Sequence, residues 1–206
     1  MGKRIRHRLL FNVSLVIFVL LTNATNCCAA TDEPRNEPFI LQSSAKPLVI
    51  YYSRTGTTYT IAQELAKNLS CEMEEIVSRK NGYLWGTITC VFDQLFDRDD
   101  DIEPTKKDLS VYNPLIIASP VWIHRISSPI RTFLKYSGLK GKDAYLILTN
   151  NGNYDVEDES NIIQNVQSYG ITTKGCYSVC TRGKDKRELR QHATSIVKDL
   201  ASAINK

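Results

Sequence analysis

The feature that most constrains the fold is an alternation of short apolar runs with amphipathic helical segments, repeated five times along the chain. Runs such as residues 115–118 are almost entirely apolar, which is typical of strands covered on both faces. Between the runs, apolar residues recur at helical spacing, as Ile61, Leu65 and Leu69 do. The alternation predicts an α/β fold in which helices cover both faces of a doubly wound parallel sheet, a three-layer sandwich.

The predicted elements follow one another with short connections. Strands are expected at residues 47–52, 71–77, 115–118, 144–149 and 172–179, and helices at residues 57–69, 83–96, 129–136, 157–169 and 184–204. In such sheets ligands bind beyond the carboxyl ends of the strands, where the strand order reverses. The turns after the first, third and fourth strands are therefore the places where a site is expected.

Charge and cysteine usage narrow the class of protein. The net charge of +4 is the contribution of four basic residues near the N-terminus (Lys3, Arg4, Arg6 and Arg8), so the remainder is formally neutral. A neutral domain gives no indication of nucleic-acid binding. Cys71, Cys90, Cys176 and Cys180 are predicted to be buried thiols, because their spacing matches neither a redox pair nor a zinc site.

The N-terminal segment has the pattern of an export signal. Basic residues precede a mainly apolar stretch at residues 9–21, and small residues end at Ala30. We predict a signal peptide or N-terminal anchor at residues 1–30, a polar linker at 31–46 and one domain at 47–206. Cleavage, lipidation at Cys27 or Cys28, and membrane attachment through an uncleaved anchor all remain open, and the expected location is periplasmic, extracellular or membrane-anchored.

The turn after the first strand is rich in hydroxyl groups and opens a helix. Its residues are Ser53, Arg54, Thr55, Gly56, Thr57 and Thr58. Unpaired N–H groups and the positive end of the helix dipole favour an anion at such a turn. The turn lacks both the Gly-Lys-Ser/Thr ending of an NTPase loop and the three glycines of a dinucleotide fingerprint. A phosphomonoester fits this chemistry; the alternative is an ordinary Thr-capped helix without ligand.

Two further turns carry aromatic and amide side chains. The turn after the third strand contributes Pro120, Val121, Trp122 and Ile123, and the turn after the fourth contributes Asn150, Asn151, Gly152, Asn153 and Tyr154. Aromatic rings stack on flat ligands, and asparagine both donates to and accepts from a heterocycle edge. Together with the phosphate turn, they indicate a phosphorylated planar heterocycle.

These motifs resemble those of the flavodoxin-like family across residues 47–206. Residues 53–58 are similar to the family's phosphate loop for FMN, residues 119–122 and 129–134 to its second flavin loop and following helix, and residues 150–154 to its third. The resemblance implies a five-stranded sheet of order 2-1-3-4-5 and non-covalently bound FMN, with Trp122 and Tyr154 against the ring. His124 stands where many relatives have glycine; we expect it to face solvent, with a flavin contact as the alternative.

The sequence leaves three functions open. The leading hypothesis is an FMN-binding electron-transfer protein that serves a redox partner protein. The alternatives are an NAD(P)H-dependent flavin or quinone oxidoreductase on the same fold, and an exported binding module that has lost the flavin. No catalytic triad, acid–base pair or metal cluster stands out in the sequence.

Overall fold

The structure, a computed structural model, describes residues 46–79 and 98–205 of the chain. The described strands are β1 (Leu48–Tyr51), β2 (Glu72–Glu75), β3 (Leu115–Trp122), β4 (Arg125–Ile126), β5 (Asp143–Asn150) and β6 (Thr172–Cys180). The described α-helices are α1 (Thr57–Asn68), α2 (Ser128–Tyr136), α3 (Val156–Ser168) and α4 (Lys186–Ile204), and a single 3₁₀ turn spans Leu109–Val111.

Five of the strands form a parallel sheet in the order β2-β1-β3-β5-β6. Counted without the short antiparallel β4, this is the predicted order 2-1-3-4-5, so the predicted fold is confirmed. The order reverses between β1 and β3, and the carboxyl ends of both strands lie at the same edge of the sheet. That edge therefore carries the crevice in which doubly wound folds bind ligands.

The core consists of two apolar layers, one on each face of the sheet. Successive strand residues point to opposite faces, so Val49 and Ile116 pack under α1 and α4, whereas Leu48 and Ile117 pack under α2 and α3. All four of these residues are fully buried. Burial on both faces explains why the strands are continuously apolar, and it fixes the register that positions the strand ends.

β3 is longer than predicted and continues four residues beyond Ala118. β1 pairs with β3 only as far as Ala118. Beyond that point β4 takes the place of β1 beside β3, and the Pro120 carbonyl accepts a hydrogen bond from the Ser127 N–H at 3.1 Å. A proline N without hydrogen is tolerated where no neighbouring strand needs a donor. The last residues of β3 then form a two-stranded hairpin with β4.

Several predictions lie outside the described residues, namely the helix at 83–96, Cys90, and the signal and linker at 1–45. Among residues 46–79 and 98–205, no helix is both long and apolar enough to span a bilayer. Cys176 and Cys180 lie on one strand, as predicted, and with Cys71 they are outside any disulfide among the described residues; their burial is intermediate, whereas buried thiols were predicted.

Candidate functional site

The three predicted turns meet at the carboxyl edge of the sheet and surround a cleft of about 370 Å³, called here the phosphate cleft. This volume falls within the range of small-molecule sites. The described residues that line the cleft come from all three turns and from two strand ends: Arg54, Thr55, Thr57, Thr58, Pro120, Val121, Trp122, Thr149, Asn150, Asn151 and Thr181.

The start of α1 supplies unpaired donors to this cleft. Its N-cap is Gly56 with φ 84°, no side chain caps the helix, and its first turn holds no acidic residue. The first N–H groups of a helix have no carbonyl partner within it. A glycine at this φ avoids the strain that an L side chain would cause, and the space around its missing Cβ is open to 4 Å. The end of α1 is therefore suited to an anion.

Hydroxyl groups complete the phosphate cleft. The Thr55 and Thr57 Oγ1 atoms lie 3.2 Å apart near its mouth, and the buried Thr58 Oγ1 lies 2.9 Å from Thr149 Oγ1. Ser53 Oγ is buried and has no hydrogen-bond partner among the described residues. A buried hydroxyl without a partner is costly, and a ligand oxygen in the loop would satisfy it.

Trp122 lies at the end of β3, half-buried, and lines the cleft. Its ring meets the Tyr52 ring edge-on, with centroids 5.6 Å apart and planes at 88°. Trp122 thus belongs to an edge-to-face aromatic pair and lines the cleft as well. Trp122 is thus the last residue of β3 rather than part of a turn beyond it, and its predicted contact with a flat ligand stays a prediction.

The third turn is held mainly by its own hydrogen bonds. Asn150 donates from Nδ2 to Ser178 Oγ at 2.8 Å and accepts the Gly152 N–H at 2.9 Å. Asn153 Oδ1 lies 3.5 Å from the guanidinium of Arg182. The Asn150 side chain is thus engaged within the protein, and its neighbour Asn151, which is exposed, is the more available amide at the cleft.

Tyr154 lies away from the described lining of the cleft. Its hydroxyl donates to Glu159 Oε2 at 3.2 Å, and its ring packs in the apolar layer on the α2 and α3 side. Burial, followed by the neighbouring Cys176 and Glu159, raises the Tyr154 pKa above its ordinary value. Burial likewise raises the pKa of the Cys176 thiol to about 12. Tyr154 is therefore a neutral phenol that anchors the third turn.

The structure brings most of the predicted site residues to the phosphate cleft, but not all of them. Outside its described lining are Ser53, Gly56, Ile123, Gly152, Asn153 and Tyr154. Two lining residues were not predicted, Thr149 at the end of β5 and Thr181 just after β6. Extending the search to the last residue of each strand and to the fifth strand would have found both.

The described lining contains one charged side chain, Arg54, and no carboxylate. Hydroxyl groups, helix N–H groups and one guanidinium favour a dianionic phosphomonoester, since each can donate to its oxygens. The adjoining indole and the amide-bearing turn add a surface for a planar ring. The cleft therefore fits the phosphorylated planar heterocycle that the sequence indicated.

His124 lies on the far side of the β3–β4 turn from this cleft. Its Nδ1 atom is 2.7 Å from Asp158 Oδ2 of α3, and its side chain is 61% exposed. It is therefore exposed, as expected, but it also has a carboxylate partner 34 residues further along the chain, which the sequence did not indicate.

No protein-family model matches the sequence, and the search of curated proteins finds no match. Solved structures do match. The flavoprotein of Lactobacillus acidophilus NCFM in complex with FMN has a TM-score of 0.55 at 21% identity, over 66% of this chain and 93% of that chain. The NMR structure of its apo-form gives a TM-score of 0.54 at 19% identity over the same shares of the two chains.

A protein of Bacteroides uniformis ATCC 8492 that carries the provisional name of flavoprotein has a TM-score of 0.56 at 21% identity, over 72% of this chain and 97% of that chain. These similarities agree with the strand order of the sheet. The chain has the flavodoxin-like fold that these flavoproteins share.

Proposed function

We propose that the protein binds FMN non-covalently in the phosphate cleft and acts in electron transfer. The observation that carries the proposal is the buried Ser53 hydroxyl, which has no partner in the described part of the chain and lies in the loop that leads into the uncapped start of α1. Both features leave donors that a phosphate group would satisfy. The FMN complex of the Lactobacillus acidophilus flavoprotein, which shares the fold, supports the choice of phosphorylated heterocycle.

In this proposal each part of the cleft has a separate task. The loop from Ser53 to Thr58 holds the phosphate, Trp122 lies against the isoalloxazine ring, and the Asn151 amide faces its polar edge. FMN, when bound, supplies the capacity to take up and release one or two electrons. The described lining holds no carboxylate that would oppose negative charge on the ring.

A pair of matched serine variants tests FMN binding. Ser53→Ala removes a buried hydroxyl that has no partner among the described residues and that precedes the cleft residue Arg54, and Ser137→Ala removes another at the end of α2. Both variants should leave the stability of the FMN-free protein unchanged or raise it slightly, because a buried hydroxyl without a partner is costly. Ser53→Ala should weaken FMN binding by roughly tenfold, since hydrogen bonds to charged groups contribute about 1.5–3 kcal/mol. Ser137→Ala should have no effect on FMN binding.

Fluorescence titration of the purified protein with FMN and with riboflavin supplies the measurement. FMN should bind far more tightly than riboflavin, because riboflavin lacks the phosphate group. Equal affinities, or no binding of either, would refute the proposal and favour the alternative of a binding module that has lost the flavin.

Turnover assays separate electron transfer from catalysis with a nicotinamide cofactor. For an electron carrier we expect the reduced protein to pass electrons to an acceptor such as cytochrome c without sustained NADPH or NADH consumption. Sustained oxidation of either cofactor with a quinone would instead identify an NAD(P)H-dependent oxidoreductase. If the protein proves to be an electron carrier, the existence of a redox partner protein remains a proposal.

Export through residues 1–30 is also proposed here, on the strength of the basic, apolar and small-residue pattern of that segment. Mass spectrometry of the mature protein, together with cell fractionation, tests it. A mature chain that begins near Thr31 would support cleavage, and an intact N-terminus in the cytoplasmic fraction would refute export.

A further inference from the structure

A group of basic residues lies beside the phosphate cleft, where the chain passes from β6 into α4. Residues 182–190 contain five basic and two acidic side chains, a formal excess of three positive charges. The five basic residues, called here the basic surface, are Arg182, Lys184, Lys186, Arg187 and Arg190. The last three are exposed, and the first two are half-buried. Because residues 31–206 are formally neutral as a whole, this excess is local to one end of α4.

The basic surface is joined directly to the third turn of the phosphate cleft. The Thr181 N–H donates to the Asn150 carbonyl at 2.7 Å, and both residues line the cleft. The guanidinium of the next residue, Arg182, lies 3.5 Å from Asn153 Oδ1, and its Cζ atom would meet a Cβ on Gly152 at 3.4 Å. A molecule that docks on the basic surface therefore reaches the edge of the cleft.

The basic side chains of α4 lie at the end of the helix where they are least favourable for its stability. The N-terminal end of a helix carries a partial positive charge, so cations are stabilising at the other end. α4 has Lys186, Arg187 and Arg190 in its first two turns and no basic residue in its last turn. The two carboxylates of the capping box offset only part of this cost. A departure from a local stability rule is expected where function requires it.

His192, one turn beyond the basic surface, is exposed to its positive potential. The Lys184 Nζ lies 2.6 Å from His192 Nε2, and after burial the Lys184 charge is the next cause that lowers the pKa of the ring. Glu188 acts in the opposite direction and only partly compensates. The surroundings of the ring therefore disfavour a further positive charge and favour an approaching anion.

Carboxylates flank the third turn on its other side. α3 begins just after this turn, with Asp155 as its N-cap and Glu157 and Glu159 in its first turn. α3 covers the opposite face of the sheet from α4. The edge of the sheet that carries the cleft is thus basic on the α4 side and acidic on the α3 side. Opposite charges on two sides of one site favour a single orientation of a docked protein.

We propose that the basic surface docks the acidic face of a redox partner protein, and that the acidic start of α3 keeps this face on the α4 side of the cleft. The inference rests on the proposed electron-transfer function and adds the charge of the partner to it. Charge complementarity raises the association rate and fixes the orientation of such complexes. A protein is favoured over a nucleic acid, because the same edge of the molecule carries carboxylates that would repel a phosphate backbone.

The test uses an acidic plastocyanin as the probe and cytochrome c as the basic control. Backbone NMR of the full chain without FMN, titrated with the reduced, diamagnetic form of each protein, measures docking. Plastocyanin should shift the signals of residues 182–190, and cytochrome c should not. Raising the ionic strength from about 0.01 M to about 0.15 M shortens the Debye length from about 30 Å to about 8 Å and should weaken plastocyanin binding roughly tenfold. Because this measurement needs no flavin, its failure and a failure to bind FMN are separate results.

Two charge reversals on α4 locate the docking surface. Lys186→Glu should weaken plastocyanin binding roughly tenfold, and stopped-flow mixing should show a similar loss in the rate of electron transfer from the FMN-reduced protein. Lys198→Glu makes the same change at an exposed position about 18 Å further along the helix and should leave both nearly unchanged. Neither variant should change FMN affinity. Lys186→Glu should not lower the urea midpoint, because a carboxylate is favourable at a helix start.

Several outcomes would overturn the proposal. Equal shifts of residues 182–190 with cytochrome c, or none with plastocyanin, would show that the surface does not select an acidic protein. Equal losses in Lys186→Glu and Lys198→Glu would reduce the effect to net charge. Tighter binding of a DNA duplex than of plastocyanin would assign the surface to nucleic acid. Self-association that is lost in Lys186→Glu would assign it to a second copy of the chain, whose α3 start is acidic.

Discussion

The starts of α1 and α4 differ in what faces their unpaired backbone N–H groups: α4 has a carboxylate cap from its own chain, and α1 has none. At α4, Asp185 accepts from the Arg187 and Glu188 N–H groups, and Glu188 reciprocates in a capping box. A second capping box, between Asp155 and Asp158, begins α3. α1 begins at Gly56 with neither a side-chain cap nor an acidic residue. The chain thus caps two helices with its own carboxylates and leaves a third open.

The start of α2 shows that a missing cap alone does not mark a site. Ser127 makes no capping bond there, but its hydroxyl is 2.9 Å from Ser119 Oγ. The buried Asp100 accepts from the Ser128 hydroxyl at 3.3 Å, so a carboxylate still lies at this end. α1 differs because no carboxylate is among the described residues that line its cleft. The comparison teaches that an open helix start indicates a ligand only where the protein brings no anion of its own.

Giving α1 an acidic residue is the strongest test of this difference. Thr57→Asp places a carboxylate in the first turn, where it should stabilise the FMN-free protein by about 0.3–1 kcal/mol through the helix dipole. The same charge repels a phosphate, so FMN affinity should fall roughly 100-fold, in line with the loss of a charged hydrogen bond and added repulsion. Urea unfolding and FMN titration measure the two effects, with Thr57→Asn as the neutral control. Unchanged FMN affinity in Thr57→Asp would show that the start of α1 does not hold the phosphate, and the contrast with α4 would then have no bearing on ligand binding.

Replacing the N-cap glycine of α1 tests its backbone requirement. Gly56→Ala should lower the free energy of unfolding by about 1–2 kcal/mol, because φ is 84° and an L side chain is strained there. The cost is conformational, since no described atom lies within 4 Å of the added Cβ. Gly56→Asn is the matched control and should cost less, because asparagine tolerates left-handed geometry. Equal losses in the two variants would mean that a steric contact is responsible.

Removing the cap of α4 should lower the stability of the protein and leave its FMN affinity unchanged. Asp185→Ala should lower the free energy of unfolding by about 1 kcal/mol, the usual cost of losing an N-cap. FMN affinity should not change, because Asp185 is not among the described residues of the cleft. A fall in FMN affinity larger than a few-fold would mean that the two helix starts are coupled, and the comparison would have to be abandoned.

The smallest expected effect is a titration at the start of α4. Burial, and then the charge of Lys184, lowers the pKa of His192 below its ordinary 6.5. The Lys184 Nζ lies 2.6 Å from His192 Nε2. Because the folded pKa lies below the unfolded one, protonation favours unfolding, and this contribution to stability is lost as the pH falls through 6.5.

NMR titration of the His192 ring measures this pKa directly. Lys184→Gln should raise it towards 6.5, and it should not reach 6.5 because the larger cause, burial, is kept. A His192 pKa that stays the same in the variant would exclude the Lys184 contribution.

The sheet could be predicted from the sequence because its strands are buried on both faces. Continuous apolar runs around Leu115 and Leu146 have few alternatives, and helices of matching period separate them. The hairpin could not be predicted in the same way. Pro120 favours a turn in isolation, and its place on a strand depends on where β1 ends. That is a property of the assembled sheet.

The same limit applies to the candidate site. The loop at Ser53–Thr58 was found because all of its donors are consecutive in sequence. Thr149 was missed because it ends the apolar run that was predicted as a strand at residues 144–149, and its hydroxyl meets Thr58 only after folding. Tyr154 was predicted to lie against the ring, and in the structure its hydroxyl donates to Glu159, five residues further along the chain. Donors that are consecutive in one turn could therefore be predicted, whereas contacts between individual side chains could not.

The continuity of β3 has a mechanical consequence. Among the described strands, its first four residues pair with β1 on one side and with β5 on the other, the next two pair in parallel with β5 alone, and its last two pair with β4. The end of β3 that carries Trp122 is therefore held by fewer neighbouring strands than its beginning. We expect a ligand that packs against Trp122 in the phosphate cleft to restrain this strand end and the β3–β4 turn that follows it.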